Sequence, residues 1–292
     1  MTSTSQPVAV ITGASSGVGK AAAKALAQQG FYIIGLGRNP ERCAQAQKEL
    51  AALATHADSV QFMQCDFSQL EATAEIAKKI VAQAPRIDVL INNAGGVSSA
   101  MRITDEGLEQ TFASNYLSPF LLTYLLLPTL IESAKTNPDG KARVIATSSV
   151  GHHTCPGINF DDLQWVQNYT TGGAYTNAKL GNILFTKELA KRYGDNGIIA
   201  HAMEPGVILE SNFVNHAEES MQKYMATLTE EAVSAEEAAS TLVWLATDKQ
   251  VLNENGGYFY QCKPAEASQA AQNEKTAARL WQESIKLLEP FI

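Results

Sequence analysis

The sequence predicts an α/β fold, in which an open, doubly wound parallel sheet carries helices on both faces. Short β-branched or apolar runs alternate with longer Ala-rich segments whose apolar residues recur at helical spacing. Strict alternation of strand and helix is typical of parallel sheets, whose ligand sites lie at the carboxyl ends of the strands. No Pro/Gly/Ser-rich linker or charge run divides the 292 residues, so we expect a single domain, 1–292.

The predicted elements follow one another in a regular order. The strands are Val8–Thr12, Phe31–Leu36, Val60–Gln64, Asp88–Asn92, Arg143–Ser148 and Ile198–Met203, with a last candidate in GGYFYQ at 256–261. The helices are Val18–Gln29, Glu41–Ala54, Gln69–Ala82, Leu108–Ile131, Tyr175–Tyr193, about Ser234–Ala246 and about Ala267–Leu288. Some ends are marked, since Asn39 is placed to cap the second helix ahead of Pro40, and Gly30 follows the first helix.

Composition narrows the classes of function. With 22 basic and 30 acidic residues, the net charge of −8 offers no electrostatic footprint for nucleic acid or an anionic membrane. The four cysteines lack CxxC spacing and the five histidines form no HExxH, which favours a reducing cytoplasm and no metal. We see no signal peptide or membrane anchor before the first strand, and the apolar run 119–131 is short for a bilayer span. These features favour a small-molecule partner.

The loop after the first strand carries a glycine pattern. Thr12, Gly13, Gly17 and Gly19 form TGxxxGxG between a predicted strand and a predicted helix. Glycines are needed where a tight turn brings the backbone close to a pyrophosphate and the next helix presents free N–H groups to it. A simple glycine-rich turn is the alternative, and the position of the motif near the N-terminus disfavours it.

Tyr175 and Lys179 lie one helical turn apart in GGAYTNAKLGN, so that their side chains share a face. Taken alone, such a pair is more often a solvated surface pair. A phenol titrates near pH 10 in water, and a neighbouring cation stabilises its anion. The pair is therefore a candidate for general acid/base chemistry at neutral pH.

Taken together, the motifs resemble those of the short-chain dehydrogenase/reductase family over nearly the whole length. They are TGASSGVG at 12–19, Asp66 after the third strand, NNAG at 92–95, Asn115, Ser149 after the fifth strand, Tyr175-x-x-x-Lys179, and Pro205-Gly206. Within that family the chain is most similar to the retinol dehydrogenase group, through SNYLSPFLLT, SSVGHH, INFDDLQ, AYTNAKLGNILFTKELAKR, GGYFYQCKPA and KTAARLW.

The resemblance implies a Rossmann-like sheet of order 3-2-1-4-5-6-7, with a cofactor half of about 1–150 and a catalytic and substrate half of about 151–292. It implies hydride transfer between NADP(H) and the carbonyl or alcohol carbon of a lipophilic aldehyde, ketone or alcohol. Tyr175 would transfer the proton, Ser149 would hydrogen-bond the reacting oxygen, Lys179 would tune Tyr175 and hold the nicotinamide ribose, and Asn115 would anchor a water. The implied cofactor-binding residues are Thr12, Gly13, Ser15, Ser16, Gly17, Val18, Gly19, Arg38, Asp66, Phe67, Asn93, Ala94, Gly95, Tyr175, Lys179, Pro205, Gly206 and Val207.

Several of these roles have alternatives. Ser148 and Ser149 point to opposite faces of a strand, so only one can serve, and the family favours Ser149. Asp66 would accept from the adenine amine or cap a helix, and Asn115 would bend its helix if it has no catalytic role. His152 and His153 are more often structural than catalytic. Glu204 precedes Pro205, and Glu210 stands where the family has a Thr or Ser that contacts the cofactor, with Ser211 as a shifted substitute.

The end of the second strand, GLGRNP, predicts the cofactor. An enzyme that selects NAD places Asp or Glu there for the ribose 2′-OH, whereas a 2′-phosphate requires the acid to be absent and a guanidinium nearby. This sequence has Gly37 near the position of the acid and Arg38 after it. We therefore expect NADP(H), with a solvated Arg38 as the alternative.

The substrate end is the least defined. The segments 151–173 and 207–227 are the expected pocket walls, and their apolar residues either line the pocket or pack onto the core: Phe160, Trp165, Phe213, Met221, Tyr224 and Met225. Two other functions are alternatives to this prediction: a light-dependent protochlorophyllide reductase-like enzyme and a non-catalytic NADP-binding regulator. The helices 108–131 and 175–193 carry surplus apolar surface, which suggests a homodimer or homotetramer unless the insertion before Tyr175 covers it.

Overall fold

A computed structural model of the chain describes residues 6–208, 227 and 232–292. The strands in this part are β1 (Val8–Thr12), β2 (Tyr32–Gly37), β3 (Val60–Gln64), β4 (Val89–Asn92), β5 (Ala142–Thr147), β6 (Ile198–Met203), β7 (Tyr258–Tyr260) and β8 (Lys263–Pro264). They form one sheet in the order β3-β2-β1-β4-β5-β6-β7-β8, in which only the β7–β8 pair is antiparallel. The predicted fold and strand order are confirmed through β7. The sequence does not predict β8, because two exposed residues carry no pattern.

The order of the strands reverses beside β1. β1 pairs with β2 on one side and with β4 on the other, and Ile11 lies opposite both Gly35 and Ile91. The carboxyl ends of these parallel strands therefore meet at one edge of the sheet. An open α/β sheet binds its ligand in the crevice at such a reversal.

Helices cover both faces of the sheet. They are α1 (Gly17–Gln28), α2 (Pro40–Ala51), α3 (Leu70–Gln83), α4 (Gln110–Phe112), α5 (Ser118–Thr136), α6 (Thr171–Tyr193), α7 (Ala235–Thr247) and α8 (Glu274–Leu288), with a π-helical stretch, Ala113–Leu117, between α4 and α5. The apolar faces of α1 and α7 pack on one side of the sheet. Those of α3, α5, α6 and α8 pack on the other side, where the larger core cluster lies.

Capping side chains decide where several helices begin. Asn39 accepts a hydrogen bond from the backbone N–H of Arg42 at 2.7 Å, which confirms the predicted start of α2. α6 begins at Thr171, earlier than predicted, because the hydroxyl of Thr170 caps the first turn. α8 begins at Glu274, later than the predicted Ala267, because the cap is Asn273.

In the described part of the chain, residues 110–136 are long and apolar enough to cross a membrane, and 67% of the apolar window is buried within the fold. Phe120 in this stretch lies 5.0 Å from the ring of Phe185 and 4.6 Å from that of Trp281, measured between centroids. The stretch therefore packs as a core helix in this structure.

Helix α8 covers α5 and α6. The ring of Trp281 stacks on Phe185 with centroids 5.7 Å apart, and the hydroxyls of Tyr116 and Ser284 lie 2.8 Å apart. The surface that the sequence assigned to pairing between chains is thus packed against a helix of the same chain. The homodimer or homotetramer stays a prediction from the sequence, whereas this packing leads us to expect a single chain. The cover is α8 rather than the insertion before Tyr175.

Candidate active site

A cleft of about 1170 Å³ lies along the carboxyl ends of β1, β2, β4, β5 and β6. This volume exceeds that of most sites for a single drug-sized ligand, so there is room for a dinucleotide beside a substrate. The predicted site residues that line the cleft are Gly13, Ser15, Ser16, Gly17, Val18, Arg38, Asp66, Phe67, Asn93, Ala94, Gly95, Ser149, Tyr175, Lys179, Pro205, Gly206 and Val207. Thr12, Gly19 and Asn115 lie behind this lining.

The loop from β1 into α1 leaves space only for glycine at two positions. Gly13 has a φ of +68°, and a Cβ there would lie 2.9 Å from Nδ2 of Asn93. A Cβ on Gly19 would lie 2.4 Å from the carbonyl oxygen of Gly13. The side chain of Ser16 does not cap α1, and the first turn of α1 has no acidic residue. This turn can therefore present its N–H groups to a pyrophosphate.

Thr12 holds two strand ends together from behind the cleft. Its buried hydroxyl oxygen accepts hydrogen bonds from the backbone N–H groups of Asn93 at 2.9 Å and Ala94 at 2.8 Å. The amide of Asn93 donates to the Thr12 carbonyl at 3.1 Å. Thr12 thus positions the NNAG loop, and would act on a cofactor through that loop.

The cleft extends past the end of β2 to Arg38, Asn39 and Arg42. A Cβ on Gly37 would lie 2.7 Å from both Sγ of Cys43 and Oγ of Ser15, so a carboxylate side chain does not fit there. Arg42 is a cleft residue that the sequence reading missed. The available signal was its place in the first turn of α2, directly behind Arg38 and the cap Asn39.

Asp66 lies where its predicted role toward the adenine amine requires, but it does not cap α3, whose N-cap is Gln69. It lines the cleft, while its Oδ1 accepts hydrogen bonds from the backbone N–H of Ser68 at 3.0 Å and the Ser68 hydroxyl at 2.9 Å. The carboxylate therefore shapes the turn before α3 and leaves its second oxygen for another donor.

The two serines after β5 differ as strand alternation predicts. The hydroxyl of Ser148 is buried and donates to the carbonyl of Lys179 at 2.8 Å. The hydroxyl of Ser149 accepts from the N–H of Gly151 at 3.1 Å and forms a hydrogen bond with the phenol of Tyr175. Of the two, Ser149 has its hydroxyl beside the phenol.

Tyr175 and Lys179 lie on the cleft side of α6, with Nζ of Lys179 5.5 Å from the centroid of the Tyr175 ring. Burial lowers the pKa of Lys179 to about 8, and Nζ donates to the carbonyl of Thr147 at 2.9 Å. Burial raises the pKa of Tyr175 to about 12, and the hydrogen bond with Ser149 opposes this rise. Burial is therefore the largest influence on the pKa of the phenol, which is protonated at neutral pH, and the tuning of the phenol by Lys179 stays a prediction.

Asn115 lies in the π-helical stretch, behind the glycines that end the NNAG loop. Its Oδ1 accepts from the N–H of Gly96 at 2.9 Å, and its Nδ2 donates to the carbonyls of Gly96 at 3.1 Å and Thr111 at 2.9 Å. A Cβ on Gly95 would lie 2.5 Å from Oδ1 of Asn115 and 3.3 Å from Nζ of Lys179. The side chain of Asn115 therefore hydrogen-bonds to backbone groups, which is the alternative that the sequence leaves open for it. Gly95 lies between this side chain and the amine of Lys179.

Of the two segments expected to form the substrate end, the structure describes 151–173 in full and only Val207, Ile208 and residue 227 of the second. From the segment 151–173, the cleft is lined by Gly151, His153, Thr154, Pro156, Trp165, Gly172 and Gly173. Phe160 instead lies under the guanidinium of Arg279, 3.9 Å from its ring centroid, so it packs the segment onto the fold. Phe213, Met221, Tyr224, Met225, Glu210 and Ser211 lie outside the described residues.

Burial raises the pKa of the Glu204 carboxyl, the unusual residue before Pro205. Glu204 does not line the cleft, and its carboxylate lies beside Tyr258. We therefore assign Glu204 no part in the site.

Comparison with known proteins identifies the family of the chain. Residues 7–222 match the sequence profile described as short chain dehydrogenase. Human retinol dehydrogenase 12 is 37% identical over 282 residues, covering 96% of this chain and 86% of that protein. Human retinol dehydrogenase 13 is 35% identical over 285 residues, covering 96% and 83%. Human polyprenol dehydrogenase is 32% identical over 285 residues, covering 96% and 84%.

Solved structures share the fold. A crystal structure of an uncharacterized protein from Mycobacterium paratuberculosis has a TM-score of 0.75 at 29% identity, covering 97% of this chain and 94% of that one. The structure titled Pseudomonas aeruginosa RhlG/NADP active-site complex has a TM-score of 0.69 at 24% identity, and the match covers 88% of this chain and 94% of that one. This second match supports the fold alone. The chain therefore belongs to the short-chain dehydrogenase/reductase family of oxidoreductases, in its retinol dehydrogenase-like group.

Proposed function

We propose that the protein is an NADP(H)-dependent reductase of lipophilic aldehydes or ketones, acting also on the corresponding alcohols in reverse. The observation that carries this proposal is the convergence of Ser149, Tyr175 and Lys179 in the cleft that begins at the glycine loop. These side chains come from the turn after β5 and from α6, and a surface Tyr–Lys pair would have no reason to meet a serine at a strand end.

The protonated phenol is the form that reduction requires. Tyr175, with its pKa raised to about 12, donates its proton to a carbonyl oxygen that accepts charge during the reaction. The hydroxyl of Ser149 donates a second hydrogen bond to that oxygen and stabilises the developing charge. A bound NADPH supplies the hydride. Lys179, whose pKa is about 8, is mainly cationic at neutral pH and stabilises the phenolate left on Tyr175.

The choice of NADP(H) is supported by the end of β2. The crowding at Gly37 excludes the carboxylate that an NAD-specific site would place there. Arg38 and Arg42 line the same end of the cleft and supply two guanidinium groups for a 2′-phosphate. The tight packing of Gly13 and Gly19 suits the close approach of a pyrophosphate.

The apolar lining of the cleft and the names of the similar proteins support a lipophilic substrate. Val97, Val150, Pro156, Trp165 and Ile208 present apolar surface to the cleft. The names of the relatives, retinol dehydrogenase and polyprenol dehydrogenase, point to long apolar alcohols as the substrate class. The proposed location is the cytoplasm, and the four free cysteines suit a reducing compartment.

The first test is oxidation of NADPH in the dark against a panel of apolar aldehydes and ketones of increasing chain length. We expect turnover, and we expect Tyr175→Phe to lower kcat by about a hundredfold or more while leaving NADPH affinity and thermal stability near those of the wild type. Ser149→Ala should lower kcat strongly and Ser148→Ala much less. Absence of turnover by the wild type would favour the non-catalytic NADP-binding regulator, and turnover only under illumination would favour the protochlorophyllide reductase-like enzyme.

The second test separates the cofactors. NADPH and NADH are titrated into the wild type, Arg38→Ala and Arg42→Ala. Loss of one charge-assisted contact should weaken NADPH binding by roughly ten- to a hundredfold and leave NADH binding nearly unchanged. Equal affinity of the wild type for both cofactors, or an equal loss for both in the variants, would show that neither arginine binds a 2′-phosphate.

A further inference from the structure

His152 is buried in the turn that follows Ser149, and both of its ring nitrogens are hydrogen-bonded. The 3-10 helix Val150–Thr154 places its ring with no exposed surface. Nδ1 lies 2.7 Å from the carbonyl oxygen of Ser149, and Nε2 lies 3.0 Å from the backbone nitrogen of Ser268. The ring also packs edge-on against Tyr258, with centroids 5.1 Å apart.

These two partners determine the protonation state of the ring. A backbone N–H can only donate, so Nε2 of His152 must carry a lone pair toward Ser268. A carbonyl oxygen can only accept, so the proton must be on Nδ1 and point to Ser149. The ring is therefore neutral with its proton on Nδ1, and a charged ring would set two donors against each other at Ser268.

The partner of Nε2 is firmly anchored although it lies 116 residues further along the chain. Ala267 and Ala271, on either side of Ser268, are buried in the larger core cluster, and the Ser268 hydroxyl accepts from the N–H of Ala271 at 3.3 Å. The C-terminal segment thus holds the ring from one side, while the ring holds the carbonyl of Ser149 from the other.

We propose that His152 is a positioning residue, which holds the backbone of Ser149 against the C-terminal segment and so aims the Ser149 hydroxyl at Tyr175. This inference rests on the proposed function of Ser149. His152 is not itself a catalytic residue, because both of its nitrogens are already bonded away from the cleft. Its neighbour His153 is exposed and lines the cleft, so the two adjacent histidines have different roles.

Two substitutions separate the two hydrogen bonds. The amide nitrogen of Asn reaches about the position of Nδ1, so His152→Asn can keep the bond to Ser149 and lose the one to Ser268. The longer Gln places its amide oxygen near the position of Nε2, so His152→Gln can keep the bond to Ser268 and lose the one to Ser149. Both variants should melt a few degrees lower, roughly 2 to 8 °C, because each leaves one buried group unpaired.

The kinetic readout is NADPH oxidation with the best aldehyde of the panel. We expect His152→Gln and His152→Asn each to lower kcat by about ten- to a hundredfold with the KM for NADPH unchanged, because either substitution breaks the link between Ser149 and the C-terminal segment. In the Ser149→Ala background, His152→Gln should cause no further loss of kcat. His56→Gln, on an exposed loop, is the control that should change neither rate nor stability.

Three results would overturn the proposal: an equal loss of kcat from His152→Gln with and without Ser149, a kcat within about threefold of the wild type in both the Asn and Gln variants, or an imidazole NMR spectrum that shows a charged or Nε2-protonated His152 near neutral pH. An inactive wild type, or full activity in Ser149→Ala, would instead reject the proposed function. The NMR spectrum decides the tautomer of His152 in either case, because it needs no turnover.

Discussion

At the scale of single residues, Lys179 is a buried amine whose charge lowers the stability of the fold near neutral pH. Its side chain is only 4% exposed, and burial lowers its pKa from 10.5 to about 8. The unfolded chain therefore binds more protons than the folded chain between about pH 8 and 10.5, so this group makes stability rise with pH across that window. Below about pH 8 the folded chain bears the full cost of the buried charge.

We expect Lys179→Met to be more stable than the wild type near neutral pH while losing nearly all turnover. The difference between the two pKa values of Lys179 corresponds to about 3 kcal/mol. Because the variant also loses the hydrogen bond to Thr147, we expect a net gain of about 1 to 2 kcal/mol in the free energy of unfolding. Chemical denaturation near pH 7 and pH 10 measures it. The gain should shrink as the pH rises, and Lys48→Met, an exposed lysine on α2, should show no such gain. A less stable Lys179→Met at neutral pH would contradict the assignment.

At the scale of elements, the π-helical stretch between α4 and α5 controls the floor of the cleft. The wider turn brings Asn115 against the loop after β4, where its amide satisfies both the N–H and the carbonyl of Gly96. π-helical turns often occur at functional sites. Here the reason is geometric, because the amide shapes the glycine loop that separates it from Lys179.

Asn115→Ala should therefore affect both stability and cofactor binding. Loss of the buried bonds should lower the free energy of unfolding by about 2 kcal/mol and weaken NADPH binding by about tenfold, measured by denaturation and by fluorescence titration. Asn137→Ala is a matched control, because Asn137 also bridges two segments, from Arg86 to Lys141, but near the amino end of β5. It should lower stability without changing NADPH affinity. Equal effects of the two substitutions on affinity would remove the role given to the π-helical stretch.

At the scale of the whole molecule, α8 supplies from within the chain the apolar cover that a partner subunit would otherwise provide. Trp281 of this helix contacts the rings of Phe120, Phe185 and Tyr193. The guanidinium of Arg192 lies 5.0 Å from the centroid of the Trp281 ring. Aromatic side chains packed in this way bury large apolar areas. The apolar residues of α5 and α6 that Trp281 contacts are therefore covered within a single chain.

We expect the wild type to have the mass of one chain by light scattering at micromolar concentration. Trp281→Ala should lower the free energy of unfolding by about 3 to 5 kcal/mol and promote association, because it uncovers the faces of α5 and α6. Trp244→Ala, on the opposite side of the sheet against Phe259, should destabilise without association. A wild-type dimer or tetramer would instead support the pairing that the sequence suggests.

The sequence by itself determined the fold class, the order of the strands through β7 and the family. These depend on local patterns: apolar runs and helical periods, a glycine loop at a strand end, and a Tyr–Lys pair one turn apart. Helix ends were less predictable where the cap was a residue that the pattern does not single out, as with Thr170 before α6.

Only the tertiary structure decided which contacts these residues make. Thr12 supports the NNAG loop across 82 residues, Gly37 is crowded by Cys43, and His152 connects Ser149 to a segment 116 residues away. Burial also raises the pKa of Tyr175, an effect that the spacing of Tyr175 and Lys179 alone does not reveal. Such features depend on chain segments that are far apart in sequence and adjacent only after folding, and on the loss of water around charged groups, neither of which a local pattern encodes.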